Sequence, residues 1–504
     1  MVDIKKRKEA GADSSAVAPS LEDILQRAGK SQDFHQFSPF EGEAYIQVSY
    51  YKSMVDEQKL TLSLLPALQQ NRAALSHPHD MKEILPFDDM LLTNDPREIE
   101  SKLCTGYLLL QFSAATDAEC LLVNIRNDTL GQRTSNDTEN EFSVVGPKAG
   151  FVENLDTNLH LLRQQMPVPE LIFRELTMGS ISKTRVAYVY LDGVTNPQLI
   201  ETVEQRLTSI DFEIFFDSSQ IDQLIADKSN TPFPLFLSTE RIDRVAFAIS
   251  SGQVAIFSNG SPYGVTGPSN FLDFFISPED YYLPWILGSF FRLIRIISVI
   301  FSIFAAPLYV AVLTYHFEVL PDSILGPLIM SRLHVPLPPV MEVIFLEITI
   351  ELLREAGARL PTKIGQTLGI VGGIVIGEAS VRAALTSNIL IIIVAFSALA
   401  SFTTPIFKMA NTIRLLRFPF IILAALFGGL GLIAGFFLLL GHLLRLKSLG
   451  MPYLVPLFPF RTGNLQDSIF RASFQYLHTR SKFLRPLKLS RYKPSADKED
   501  IDDE

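Results

Sequence analysis

The sequence predicts an α/β soluble N-terminal region of two subdomains followed by an α-helical transmembrane domain, and three observations carry that prediction. Strand-like and helix-like periods alternate in the first half: "TRVAYVYLDGV" is a buried-strand run, and "NPQLIETVEQRLTSI" directly after it places apolar residues at 199, 200, 203, 207 and 210, a helical spacing. Asn259-Gly260 stands between alternating apolar residues, the strongest short-range cue for a tight hairpin. From Tyr281 onward the composition changes to long uncharged runs, Ile296 to Tyr315, Ala383 to Phe407 and Phe418 to Gly441. Each is at or above the roughly 20 residues needed to cross a ~30 Å hydrocarbon core.

Residues 1–40, rich in Ala, Ser, Lys and Asp, read as disordered. The first α/β subdomain covers 41–140, where "GYLLLQFSAATDAECLLVNI" gives two β-rich runs around a small-residue turn. The second covers 141–280. A helical membrane domain then occupies 281–445, and 446–504 reads as a cytoplasmic tail. Tyr281, Tyr282 and the only tryptophan, Trp285, precede the first apolar run as interfacial anchors, with Arg292 and Arg295 marking a cytoplasmic start. Four spans are expected, at 296–315, 363–382, 384–405 and 418–440, with a kink at Pro307 in the first. An amphipathic acidic helix is expected at 339–357. Its five charges, among them Glu347, Glu351, Arg354 and Glu355, at about +2.5 to +3.5 kcal/mol each, outweigh some ten apolar residues worth about −0.5 each, so it cannot face lipid all round. Four spans leave Lys408, Arg414 and Arg417 outside, against the positive-inside tendency; five spans put the basic tail there instead.

The bulk properties exclude several classes. A formal charge of −10 and the lack of a basic patch with interleaved aromatics argue against nucleic acid. The acidic end "ADKEDIDDE" reads as a solvated terminus. Cys104 and Cys120 are too few for a disulfide framework and lack metal-site spacing, so they read as buried thiols. His77 and His79 lie in a polar "SHPHD" turn. With no nucleophile elbow, phosphate loop, HExxH or paired CxxC, the sequence names no enzyme, catalytic residue, cofactor or metal. The basic N-terminal residues are not followed by an apolar core, so they are no secretory signal and the α/β region is expected in the cytoplasm.

Two features carry the candidate chemistry. "GQTLGIVGGIVIGE" sets Gly365, Gly369, Gly373 and Gly377 four apart and adds Gly372. Each interior glycine costs a helix roughly 1 kcal/mol against alanine, so contacts elsewhere must return about 5 kcal/mol. Close helix packing returns it, and so does a shared axis where bare backbone leaves a narrow constriction. The second feature is the carboxylate set Glu347, Glu351, Glu355 and Glu378. Either it is a ring at a pore mouth that concentrates cations, or its members are paired by Arg354, Arg359 and, for Glu378, Arg382.

Several stretches resemble the A subunits of spore germinant receptors, the GerA family of endospore-forming bacteria: "GPKAGFVENLDTNLHLLR" at 146–163, "FPLFLSTER" at 233–241, "SPEDYY" at 277–282, the long run from Glu347 to Asn388, and "ASFTTP" at 400–405. They follow the family's order over most of 140–405. The resemblance implies a multi-pass subunit in the inner membrane of the dormant spore, in contact with its lipids. It also implies a transporter-like B subunit that binds the germinant, a lipoprotein C subunit, and a homo-oligomeric ring around an ion pathway. Val145, Gln164, Gln165, Glu378 and Arg382 depart from the family pattern. The leading expectation is a ligand-gated ion-channel subunit that triggers germination. A non-conducting scaffold or modulator of other receptors is the alternative, and a secondary transporter is disfavoured because no pair of interrupted spans repeats.

Overall fold

The computed structural model describes residues 20–40, 46–71, 78–112, 120–127, 145–360, 372–373, 375–460 and 467–492. Order begins earlier than the composition suggests. Ser20 and Asp23 form a reciprocal capping box that starts α1 (Leu21–Ala28), and Ile24 and Ala28 are buried beneath it. The expected disorder over 1–40 therefore fails for 20–40: a few apolar side chains at helical spacing, with a cap, outweigh a polar average.

The first sheet is antiparallel throughout, in the order β1-β2-β4-β5-β3, built from β1 (Phe34–Phe37), β2 (Ile46–Tyr51), β3 (Met90–Thr93), β4 (Tyr107–Phe112) and β5 (Cys120–Asn124). The two β-rich runs flanking the small-residue turn are β4 and β5, paired with Leu109 opposite Leu122. Alternate residues supply two cores. Leu108, Leu110 and Val123 pack with residues from the α2 (Glu57–Lys59), π-turn (Leu60–Leu64), α3 (Leu65–Gln70) and α4 (Pro78–Ile84) side. Leu109 and Leu122 pack with α1 and α5 (Pro96–Leu103). Both cysteines are buried in that second core, and burial pushes the Cys104 thiol up to about 12 and Cys120 to about 11.

The second sheet, also antiparallel, runs β6-β7-β9-β10-β8. Its elements are α6 (Leu155–Gln165), β6 (Leu171–Met178), β7 (Thr184–Leu191), α7 (Pro197–Thr208), α8 (Ser218–Leu224), β8 (Leu237–Thr239), α9 (Ile242–Ser251), β9 (Val254–Ser258) and β10 (Gly264–Gly267). Leu199, Val203 and Leu207 of α7 point inward, the stripe the periodicity predicts. Asn259-Gly260 does join two paired strands, but through residues 259–263 rather than a two-residue turn. The wider loop reflects tertiary bonds: the Asn259 side chain accepts from Leu155 N at 3.2 Å, and Gly260 N donates to Glu153 O at 2.7 Å. A fully buried Arg163 fastens the two subdomains, donating to Asp33 at 2.9 Å with its guanidinium 4.2 and 4.3 Å from the rings of Tyr51 and Phe173.

The helical part comprises α10 (Trp285–Tyr315), α11 (Asp322–Arg332), α12 (Pro339–Arg359), α13 (375–382), α14 (Asn388–Ser401) and α15 (Phe407–Arg445). Among the described residues, α10 and α15 are long and apolar enough to cross a membrane. The expected span 296–315 lies within the longer α10, and the acidic helix within α12. Half of 363–382, with Gly365 and Gly369, lies outside the described residues. The expected span 384–405 is helical only over 14 residues, about 21 Å. It is shortened by positive φ at Ala384 and the N-cap at Ser387.

The expected span 418–440 is overturned in form. Gly428 (φ 59, ψ −137) breaks α15, and the chain turns back on itself. A Cβ at Gly431 would lie 2.1 Å from the Leu423 carbonyl, and one at Gly435 2.9 Å from the Phe420 ring. The preceding α10 closes the tip: the Tyr315 hydroxyl donates to the Ala425 and Leu426 carbonyls at 3.0 Å, and His316 Nε2 accepts from Gly429 N–H at 3.1 Å. The reason was visible as "FGGLGLIAG" but was masked by uniform hydropathy. Gly428→Ala should therefore lower stability by about 1–3 kcal/mol, because this backbone region is open essentially to glycine. Thermal unfolding in detergent checks it, and an unchanged midpoint would contradict the hairpin.

The segment after α15 is not a free tail. Tyr453 is fully buried and donates to Pro234 O at 2.8 Å, Arg480 Nε donates to Ser250 O at 2.7 Å, and Leu487 N to Val194 O at 2.9 Å. One apolar core runs from the second sheet (Val186, Ile256, Val265) into the helices (Val299, Ile303, Met409, Leu443).

Candidate functional site

Polar side chains concentrate where the α/β region meets the helices. The 3-10 turn Pro278–Tyr281 starts at Ser277, whose N–H donates to Asp280. Asp280 is 1% exposed and holds two guanidiniums of α10: Arg292 Nε at 3.3 Å and Arg295 Nη1 at 2.9 Å. Arg295 Nη1 also donates to Phe275 O at 2.8 Å. Arg292 continues to the C-terminal segment, donating to Asp467 O at 2.6 Å, and Asp467 accepts from the Tyr281 hydroxyl at 2.7 Å. Burial pushes the Asp467 carboxyl above its usual range, with Arg292 pulling it back. Gly288 lets the first turn of α10 approach, since a Cβ there would sit 2.6 Å from Asp280 O. Three parts of the chain thus share one charged joint.

This geometry corrects the interfacial-anchor reading for Tyr281, which is turned into the joint; its hydroxyl had a carboxylate to find that was nearly 200 residues away. Tyr282 (43% exposed) and Trp285 (52%) do remain outside, although the Tyr282 hydroxyl donates to Asp243 at 2.6 Å. Arg292 and Arg295 are likewise ion-pair partners rather than loose flanking charges. Asp280 and Asp467 were missed by residue-pattern reasoning. The Ser-Pro-Glu-Asp capping box was the one available signal for Asp280, and nothing local marks Asp467.

A second joint holds both ends of α15. Lys408 pairs with Asp222 of α8, Thr412 donates to Pro232 O, His442 contacts Thr231 at 3.0 Å, and Ser448 donates to Leu235 O at 2.6 Å. The hairpin therefore leaves from and returns to the same subdomain.

Inside the helical part, Glu347 of α12 pairs with Arg417 of α15, and both are buried. Arg417 also donates to Ser302 O at 2.9 Å and Ser302 Oγ at 2.8 Å, and Ser397 Oγ to Ser302 O at 3.0 Å. One turn earlier, Glu342 accepts from Arg332 at 2.6 Å and from Ser387 N at 3.3 Å. The other carboxylates pair locally: Glu351 with Arg354, Glu355 with Arg359 at 2.9 Å, and Glu378 with Arg382 at 2.6 Å. Each of the four predicted acidic residues is thus paired with an arginine of its own chain. Gly372 faces Leu353, whereas a Cβ on Gly373 or Gly377 would meet no described residue within 4 Å.

The chain matches the model of a family described as "Bacillus/Clostridium GerA spore germination protein" over residues 22–483. It is 46% identical to spore germination protein GerQA of Bacillus cereus over 94% of each chain. Identity is 45% to GerIA of the same species, over 93% of this chain and 69% of that one. It is 35% to spore germination protein KA of Bacillus subtilis, over 91% and 85%. The crystal structure of the N-terminal domain of the A subunit of the Bacillus megaterium spore germinant receptor GerK3 aligns with a TM-score of 0.35 and 23% identity, over 51% of this chain and 98% of that one. From this extent of similarity, the chain is a member of the GerA family of spore germination proteins.

Proposed function

We propose that this chain is the A subunit of a nutrient germinant receptor in the spore inner membrane. In this reading, copies of it assemble around the glycine helix to form a ligand-gated ion pathway. The observation that carries the proposal is the bare face at Gly373 and Gly377, which no described residue covers: among the described residues nothing returns the helix propensity lost there, and a neighbouring copy would.

The membrane setting is supported by α12, which is inside out. Met341, Phe345, Ile348 and Leu352 form an exposed apolar stripe at helical spacing, while Glu342 and Glu347 are buried. Water would favour the reverse, whereas lipid favours this arrangement. Its 21 residues reach about 30 Å, a hydrocarbon thickness. With the α/β region in the cytoplasm, the pair of Lys408 with Asp222 keeps that lysine on the same side, in line with the positive-inside tendency. A germinant captured by the transporter-like B subunit, with the lipoprotein C subunit alongside, acts only if it favours the open arrangement over the closed one.

The scaffold reading has one observation in its favour: every candidate carboxylate already has an arginine in the same chain, so no unpaired acidic ring is left to attract cations. The mass of the detergent-purified chain and currents in planar bilayers, with and without B and C subunits, separate the two. A multimer with germinant-dependent current supports the channel; a multimer without current supports the scaffold; a monomer throughout overturns assembly on this face. Gly373→Leu is expected to abolish assembly or current, and normal behaviour of both would remove the glycine face from the mechanism.

A further inference from the structure

A cavity of about 310 Å3 lies between α9, the 266–282 stretch and the C-terminal residues 455–456 and 467–491. That size is at the lower end of small-molecule sites. Its carboxylates are already engaged. Asp243 is held by Arg241 at 2.7 Å and by the Tyr282 hydroxyl, Asp467 by Tyr281 and Arg292, and Asp273 by the capping box with Asn270. Two of its three arginines, Arg480 and Arg491, are not balanced in the same way. Among the described residues Arg480 bonds carbonyl oxygens only, and Arg491 forms no ion pair.

Arg491 is also pre-oriented. Its guanidinium lies 4.7 Å over the ring of Phe247, and Nη2 donates to Ser251 Oγ at 2.6 Å. Its Nε is buried without a hydrogen-bond partner. That nitrogen has no accessible surface, so a ligand would meet the terminal nitrogens of the guanidinium, whose flat fork matches a carboxylate. The remaining wall is largely apolar and aromatic, including Leu237, Ile276, Val455 and Phe474.

We infer that this cavity binds a small organic carboxylate with an apolar body, the carboxylate on Arg491 and the body against the aromatic wall. This is a site additional to the proposed ion pathway and does not depend on it. Occupancy would tie α9 to the segment that carries Asp467, and through Asp467 to Arg292 of α10.

The test uses the full chain in detergent, with 4-phenylbutyrate as probe and 4-phenylbutan-1-ol as its neutral counterpart, followed by calorimetry. Saturable one-to-one binding of the acid is expected, with the alcohol weaker by about tenfold or more, the scale of one charge-assisted bond. Arg491→Gln should weaken the acid by a similar factor without changing the alcohol, and Arg491→Lys should bind between the two. Absence of saturable acid binding, equal binding of acid and alcohol, or wild-type binding by Arg491→Gln would each overturn the assignment. Should Arg491→Gln fail to fold, the acid-to-alcohol ratio on the unaltered chain decides alone.

Discussion

Arg417→Leu is expected to destabilise the helical part by about 3–5 kcal/mol, the scale on which a buried charge loses its only counter-ion. Glu347 is 1% exposed and pairs with Arg417, and its Oε1 lacks a hydrogen bond among the described residues. Arg417 also donates to Ser302 O and Ser302 Oγ, so its loss removes two further hydrogen bonds between α10 and α15, while Ser302 O keeps the bond from Ser397 Oγ. The measurement is thermal or denaturant unfolding in detergent, read beside the amount of protein that reaches the membrane. Removing both charges with Arg417→Met and Glu347→Leu should recover most of the loss, because well-packed apolar groups replace buried ion pairs at little cost. If the single variant melts like the wild type, α12 does not dock through Glu347.

Asp280→Asn should have the next largest effect, about 3 kcal/mol or more, but confined to the joint. An amide keeps the shape and one acceptor oxygen but loses the charge and turns its NH2 toward a guanidinium, leaving the fully buried Arg292 with Asp467 as its remaining ion-pair partner and Arg295 with the Phe275 carbonyl and one shared amide oxygen. Hydrogen exchange should rise around 275–295 and 467–473 while the first sheet stays protected. The germination response of spores carrying the variant should fall even where the protein accumulates normally. Wild-type protection at both stretches would show that the three segments are held together by something else.

How much of this could be read from the residues varies with the distance over which each contact acts. β7 and α7 follow from local period, since a strand alternates and a helix repeats whatever else is present. Pairing of β4 with β5, and of β9 with β10, was equally local. The partner of Glu347 is 70 residues away, so the periodicity that placed it on a polar face had no access to Arg417. The same holds for Tyr281 and Asp467. The break at Gly428 is a different failure: the glycines were present in the sequence, but a window that averages hydropathy treats two short legs as one long span. At 20–40 the error ran the other way, since a composition average concealed a capped helix and an edge strand.

The separation of Glu347 from Arg417 also bears on how the protein is made. At roughly 5–20 residues per second, a ribosome delivers the acid several seconds before the base, 70 residues later. Through that interval the nascent α12 carries an uncompensated carboxylate, and on the membrane setting proposed above it can lock into place only once the final hairpin has been synthesised.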